Sequence, residues 1–254
     1  MKAIILAAGR GKRMGALTSH NPKCMLRIGK NTIIERLVAQ LRFNGVREIF
    51  IVRGYKSKKI TIKNVKYFQN NKYTSTNMFY SLMLARKILN SSTLIIYADL
   101  YLNNKIINKM VKVKKDLAVA VDIGWKKLWR FRFGNINKDL ESLKIDNRGS
   151  IFQIGKKTFN KKDMQARYIG IIKTSKKMNH KIISTWKKDG KKFNNKSWGI
   201  SNNSIKKAYL TDLIQDLITK KNNCFAVKFK NGWYEFDNKK DYEKFFKIKN
   251  KNLI

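Results

Sequence analysis

The segment Leu6-Ala7-Ala8-Gly9-Arg10-Gly11-Lys12-Arg13-Met14-Gly15 concentrates the residue types that could bind phosphate. Small side chains let a ligand approach the backbone, and exposed N–H groups can cradle phosphate oxygens. Lys12 and Arg13 add positive charge where a triphosphate would lie. Two other nucleotide loops fail on spacing. A P-loop needs G-x-x-x-x-G-K-[ST], which is absent. A dinucleotide fingerprint needs G-x-G-x-x-G opening a helix, but Gly9, Gly11 and Gly15 are looser and Thr18-Ser19-His20-Asn21-Pro22 interrupts any helix. Arg53, where an acidic ribose ligand would stand, keeps an NADP site as an alternative. Cys24, Cys224, His20 and His180 show no zinc spacing, and the two cysteines read as reduced and cytosolic.

These residues need a frame. Lys2 to Ala8 reads as a buried strand feeding the loop. Thr32 to Asn44 reads as an amphipathic helix ending at Gly45, and Glu48 to Val52 as a second strand. A second helix is expected over Asn77 to Leu89, with Ser75 and Thr76 as capping candidates. Thr93 to Ala98 reads as a strand ending at Asp99, Lys105 to Val111 as a helix and Leu117 to Ile123 as a buried strand. This alternation predicts an α/β fold: a Rossmann-like, mainly parallel sheet with helices on both faces. Later, Leu143 to Ile145 and Ile151 to Ile154 flank the turn signal Asp146-Asn147-Arg148-Gly149. Tyr168 to Ile172, Cys224 to Phe229 and Trp233 to Phe236 read as strands. Ser204 to Thr219 and Lys239 to Phe246 read as helices. One domain over 1–254 is expected, with a nucleotide-binding half to about residue 122 and an acceptor-binding, closing half after it.

Composition narrows the class. The 254 residues are 43% hydrophobic, enough for a core, and carry a net charge of +41. The basic residues are spread along the chain, and Lys, Asn and Ile abound together, as A/T-rich codon usage would produce. A nucleic-acid or membrane surface is the competing reading of that charge. No segment approaches membrane-span length. A cytoplasmic enzyme is expected, with nucleic acid not expected as a partner and oligomeric state open.

Leu6 to Met14 followed by Pro22-Lys23 resembles the L-A-A-G-x-G-x-R-[ML]…P-K signature of sugar-nucleotide-type nucleotidyltransferases. Asn77-Met78-Phe79-Tyr80-Ser81-Leu82, Tyr97-Ala98-Asp99-Leu100-Tyr101-Leu102 and Trp233-Tyr234-Glu235-Phe236-Asp237 are similar to stretches of the phosphocholine cytidylyltransferase-like branch. That branch includes enzymes acting on 2-aminoethylphosphonate and on phosphoglutamine. The likeness is weakest between about Lys173 and Ser201. Position 97 is Tyr where some relatives carry an acid, and position 12 is Lys where Ser or Thr is common.

The resemblance implies the nucleotide-diphospho-sugar transferase fold and CMP transfer from CTP to a small phosphorylated acceptor, feeding surface-polysaccharide decoration. Arg13 would then hold the β- and γ-phosphates, and Lys23 the α-phosphate or acceptor phosphate. Leu6, Ala7, Ala8, Gly9, Gly11, Lys12 and Asn77 would contact the nucleotide, although Asn77 could equally cap its helix. Asp99 and Asp237 are the carboxylate candidates for Mg²⁺. Trp125 and Trp129, four apart, could box a quaternary ammonium or simply pack in the core. Asp139 and Glu141 could pair with an acceptor amine, and Tyr168 and Glu235 could line the same wall. A sugar-1-phosphate nucleotidyltransferase, or a basic RNA-binding protein on a degenerate transferase fold, is the alternative.

Overall fold

The computed structural model describes residues 1–248 and 253–254. The chain opens with β1 (Lys2–Ala7), the short strands β2 (Arg27–Ile28) and β3 (Asn31–Thr32), and helix α1 (Ile33–Phe43). β4 (Glu48–Arg53), β5 (Lys66–Gln69), α2 (Met78–Leu84), β6 (Thr93–Tyr97), β7 (Leu100–Leu102), α3 (Asn104–Lys112) and β8 (Leu117–Asp122) follow. Next come α4 (Trp125–Phe133), β9 (Glu141–Ile145), β10 (Ile151–Lys157), β11 (Arg167–Thr174) and α5 (Lys176–Lys192). The chain closes with α6 (Leu210–Thr219), β12 (Phe225–Phe229), β13 (Trp233–Glu235) and α7 (Lys239–Phe245).

Seven strands form one sheet in the order β12-β8-β11-β6-β1-β4-β5. β1 pairs in parallel with both β4 and β6, so the loops after β1 and β6 emerge side by side. That arrangement brings the Gly-rich loop next to Asp99, at the carboxyl edge where open α/β sheets bind ligands. β11 runs antiparallel between β6 and β8 and joins the second half of the chain to the first. The β9–β10 hairpin and the β7–β13 pair stand outside the main sheet.

Alternation along β1 explains the two layers. Ala3, Ile5 and Ala7 pack with α1, α3 and α4, while Ile4 and Leu6 face α2, α5 and α6. Helices therefore cover both faces, as expected. α1 starts at Thr32 in a reciprocal cap with Glu35, two orphan donors satisfied at once.

Several local expectations change. Asn77, rather than Ser75 or Thr76, caps α2, accepting from the Met78 N–H at 2.8 Å. α2 ends at Leu84, and a separate single turn covers Arg86–Ile88. The helix expected from Ser204 is broken: Ile205–Lys207 is a single turn, and α6 begins only at Leu210. The break lets Asp212 accept from the Tyr209 N–H and the Ser201 N–H, each at 2.8 Å. α4, α5 and the edge strand β5 were not anticipated. α5 buries only Met178, Asn179, Ile182, Thr185 and Asp189, a face with too few apolar letters to stand out.

Candidate functional site

The loop after β1 is shaped around Lys23. Gly11 has φ +72, and a Cβ there would lie 3.0 Å from the Lys23 Cβ. A side chain at position 11 would thus be strained and would push Lys23 aside. The Gly11 carbonyl accepts from the Met14 N–H at 2.9 Å and the Thr18 hydroxyl at 3.1 Å, closing the turn. Gly54 lets the chain after β4 pass close beneath, with Tyr55 N–H donating to the Ala8 carbonyl at 2.9 Å.

Lys23 sits at the floor of a cavity of about 1100 Å³. Its Nζ lies 2.5 Å from Asp99 Oδ2. Burial alone would lower the Lys23 pKa, but Asp99, Asp237 and Glu235 more than offset it and hold the ammonium charged. Asp237 follows β13, which ends at Glu235, one residue short of the expected Phe236. It accepts from Arg13 at 3.0 Å and from Arg132 at 3.0 Å. Burial would raise the Asp237 pKa, but Lys23, Arg132 and Arg13 win and keep it below the usual carboxylate range. Glu235 goes the other way. Burial, with Asp237 and Asp99 nearby, pushes its carboxyl up to about 8.

Arg132 of α4 is the residue the sequence did not reveal. Its side chain is completely buried and reaches three carboxylates. It donates to Asp241 through Nε at 3.0 Å and Nη2 at 2.9 Å, while Glu235 Oε2 lies 3.7 Å from Nη1. The faces of Trp129, Phe133 and Tyr234 surround the guanidinium at 4.8 to 5.6 Å. Asp241 in turn bonds the Asn238 side chain at 2.8 Å, so Arg132 ties α7 and the Asp237 loop to α4.

Fourteen of the anticipated residues line this one cavity. Leu6, Ala7, Ala8, Gly9, Gly11, Arg13 and Asn77 are on the loop side, and Lys23, Asp99, Glu235 and Asp237 form the floor. Glu141 and Tyr168 are on the far wall, with Asp139 beside them. Arg13, paired with Asp237, is 74% exposed at its side chain, whereas Lys23 is 14% exposed.

Three anticipated residues fall elsewhere. Lys12 is exposed and outside the cavity lining, because the single-turn helix starting there directs it to solvent. Trp125 and Trp129 form no ammonium box; both are buried in the core under α4. Trp129 donates its indole N–H to the Lys138 carbonyl at 2.9 Å, and Arg167 covers its ring at 4.0 Å. Arg53 is also structural, stacked on Tyr67 at 4.0 Å and donating to the Ile60 carbonyl at 3.1 Å. It gives no support to an NADP site.

The far wall carries its own charges. Arg167 of β11 grips the Asp139 carbonyl and carboxylate. Tyr97 and Tyr168 meet edge-on at 5.7 Å. Burial raises the Glu141 pKa, with Arg167 opposing it. Ser201, Asn202 and Asn203 approach from the loop held by Asp212.

A Gly-rich loop, a lysine pinned between carboxylates and an exposed arginine paired to Asp237 at one sheet edge suit transfer at a polyphosphate. The family model described as the MobA-like NTP transferase domain matches residues 3–133. The chain belongs to this family. It is a nucleotidyltransferase. A CTP:phosphoglutamine cytidylyltransferase of Campylobacter jejuni is 34% identical over 254 residues, covering 96% of this chain and 98% of that one. A choline-phosphate cytidylyltransferase of Streptococcus pneumoniae is 37% identical over 106 residues, 40% of this chain and 46% of that protein. The solved structure of a CTP:phosphocholine cytidylyltransferase from Streptococcus pneumoniae superposes with a TM-score of 0.72. It shares 24% identity and covers 97% of this chain and 98% of its own. That superposition confirms the nucleotide-diphospho-sugar transferase type of fold. Among the described residues, no helix is long and apolar enough to cross a membrane.

Proposed function

We propose that this nucleotidyltransferase moves CMP from CTP to a small phosphorylated or phosphonate acceptor and releases pyrophosphate. The observation that carries the reading is Lys23, held against Asp99 beneath the Gly-rich loop, with Asp237 and Arg13 beside it. The cytidylyl choice rests on the relative that spans nearly the whole chain.

The acceptor oxygen attacks the α-phosphorus of CTP. A new P–O bond forms as the α–β bridging P–O bond breaks, and pyrophosphate leaves with the electron pair. Such a step asks for alignment and charge neutralisation more than for covalent help. Lys23, held charged, donates hydrogen bonds to the α-phosphate oxygens as negative charge develops there. Arg13 exchanges Asp237 for the β- and γ-phosphates and follows the leaving group. Backbone N–H groups from Ala8 to Gly11 cradle the chain of phosphates, and Leu6, Ala7 and Asn77 line the nucleoside side.

The family reaction implies a divalent ion, and the donor set fits Mg²⁺. Asp99 and Asp237 supply hard oxygen ligands, and burial together with their negative charge lifts the neighbouring Glu235 to about 8. Among the described residues no group of three or more His, Cys, Asp or Glu forms a cage. Mg²⁺ that binds through one or two carboxylates plus substrate phosphates needs none. Asp99 and Asp237 would hold it, and it would neutralise charge between donor and acceptor phosphates. Arg132 orients Asp237 for that role. The first half of the chain would bind nucleotide and the second half acceptor, in a cytoplasmic enzyme serving surface-polysaccharide decoration. Pyrophosphate release with CTP and an acceptor, lost in Asp99→Asn, tests the reading. Release with UTP or dTTP and glucose-1-phosphate only would replace it by a sugar-nucleotide enzyme.

A further inference from the structure

Glu141 and Lys157 are register partners across the antiparallel β9–β10 pair, and both line the cavity. Residues directly opposite on such a pair stand about 5 Å apart at Cβ. Yet among the described residues neither side chain closes an ion pair, and no hydrogen bond meets the Glu141 carboxylate. Their neighbours are already matched: Asp139 is taken by Arg167 and Asp163 by Lys144. The wall thus keeps one carboxylate and one ammonium side by side and unspent. It also connects with the reacting floor, because Tyr97 feels the charges of both Glu235 and Glu141.

Resting on the transferase reading above, we infer that this wall recognises an α-amino-acid head on the acceptor. Glu141 takes the ammonium and Lys157 takes the neighbouring carboxylate. A quaternary ammonium fits less well, because it has no N–H to donate to the open Glu141 oxygens. Lys157 was not among the residues singled out by sequence.

The test uses acceptor pairs that differ only in the α-carboxylate, at two lengths. O-phosphoserine is compared with phosphoethanolamine, and phosphoglutamine with its decarboxylated counterpart, with phosphocholine as a third arm. In at least one pair the carboxylated acceptor should have a kcat/KM about tenfold higher with CTP. Lys157→Gln should bring that ratio close to one, and Glu141→Gln should raise KM for both members. Both substitutions lie at the cavity wall, and unchanged thermal unfolding checks that the variants fold. Ratios near one in both pairs for the unaltered protein overturn the inference, as does a ratio that survives Lys157→Gln or a preference for phosphocholine. Calorimetric titration of the same pairs separates the two readings. If CMP transfer fails with every acceptor, the cytidylyl reading falls. The binding ratio and its loss in Lys157→Gln still decide the head-group inference either way.

Discussion

The two walls of the cavity are built on different principles. The floor, from the β1 loop to Asp99 and Asp237, is closed on itself. Lys23 pairs with Asp99, Asp237 pairs with Arg13 and Arg132, and Arg132 is sheathed in aromatic rings. The far wall of β9 and β10, which we propose meets the acceptor, is open: Glu141 and Lys157 are adjacent and, among the described residues, form no ion pair. A closed network fixes geometry before substrate arrives and suits a step common to many acceptors. An open one leaves its charges for the ligand and suits choice between acceptors.

That contrast can be broken from either side. Asp99→Asn should cut kcat/KM by roughly a thousandfold in a pyrophosphate-release assay, with the fold retained. Lys23→Ala should cost roughly a hundredfold, mainly in kcat, because the lysine acts on developing charge. Arg132→Met should leave buried carboxylates without their cation and destabilise the fold by about 3 kcal/mol in denaturant unfolding. Arg132→Lys should recover part of that stability but less of the activity, since an ammonium cannot replace the fork shared by Asp237 and Asp241. Glu141→Gln should raise KM for an ammonium-bearing acceptor about tenfold while KM for CTP changes little. Lys12→Ala should change kcat/KM by less than about twofold, because that side chain points to solvent. A large Lys12 effect would extend the floor further along the loop than the structure places it.

The same contrast explains what the sequence made legible. The β1-loop side of the floor follows from local order: a buried strand, small residues, a turn and then Lys23. β1, α1 and the Asp99 strand end could be read because their apolar periods are clean. The late strand was read one residue too long, since β13 ends at Glu235 and Asp237 follows it in the loop. The far wall is assembled from strands and loops distant in sequence, so Arg167 and Lys157 stood among many other basic residues with no local mark. Arg132 was hidden for the same reason, although its neighbours carried a clue. Trp125, Trp129 and Arg132 recur at helical spacing, and Trp125, Leu128 and Trp129 form one apolar face, which favours a core helix over an aromatic box. α5 escaped because its buried face includes Asn179, Thr185 and Asp189. These polar side chains are satisfied by distant partners, as when Asn179 donates to the Ser91 carbonyl at 2.7 Å.

The central claim is tested most directly by incubating the protein with Mg²⁺, each of the four nucleoside triphosphates in turn and a panel of phosphorylated acceptors, then quantifying pyrophosphate and the nucleotidylated product. The account predicts equal amounts of pyrophosphate and CMP-linked acceptor with CTP, and loss of both in Asp99→Asn. Folded protein that yields no nucleotidylated product with any pair, or yields it undiminished in Asp99→Asn, would contradict it.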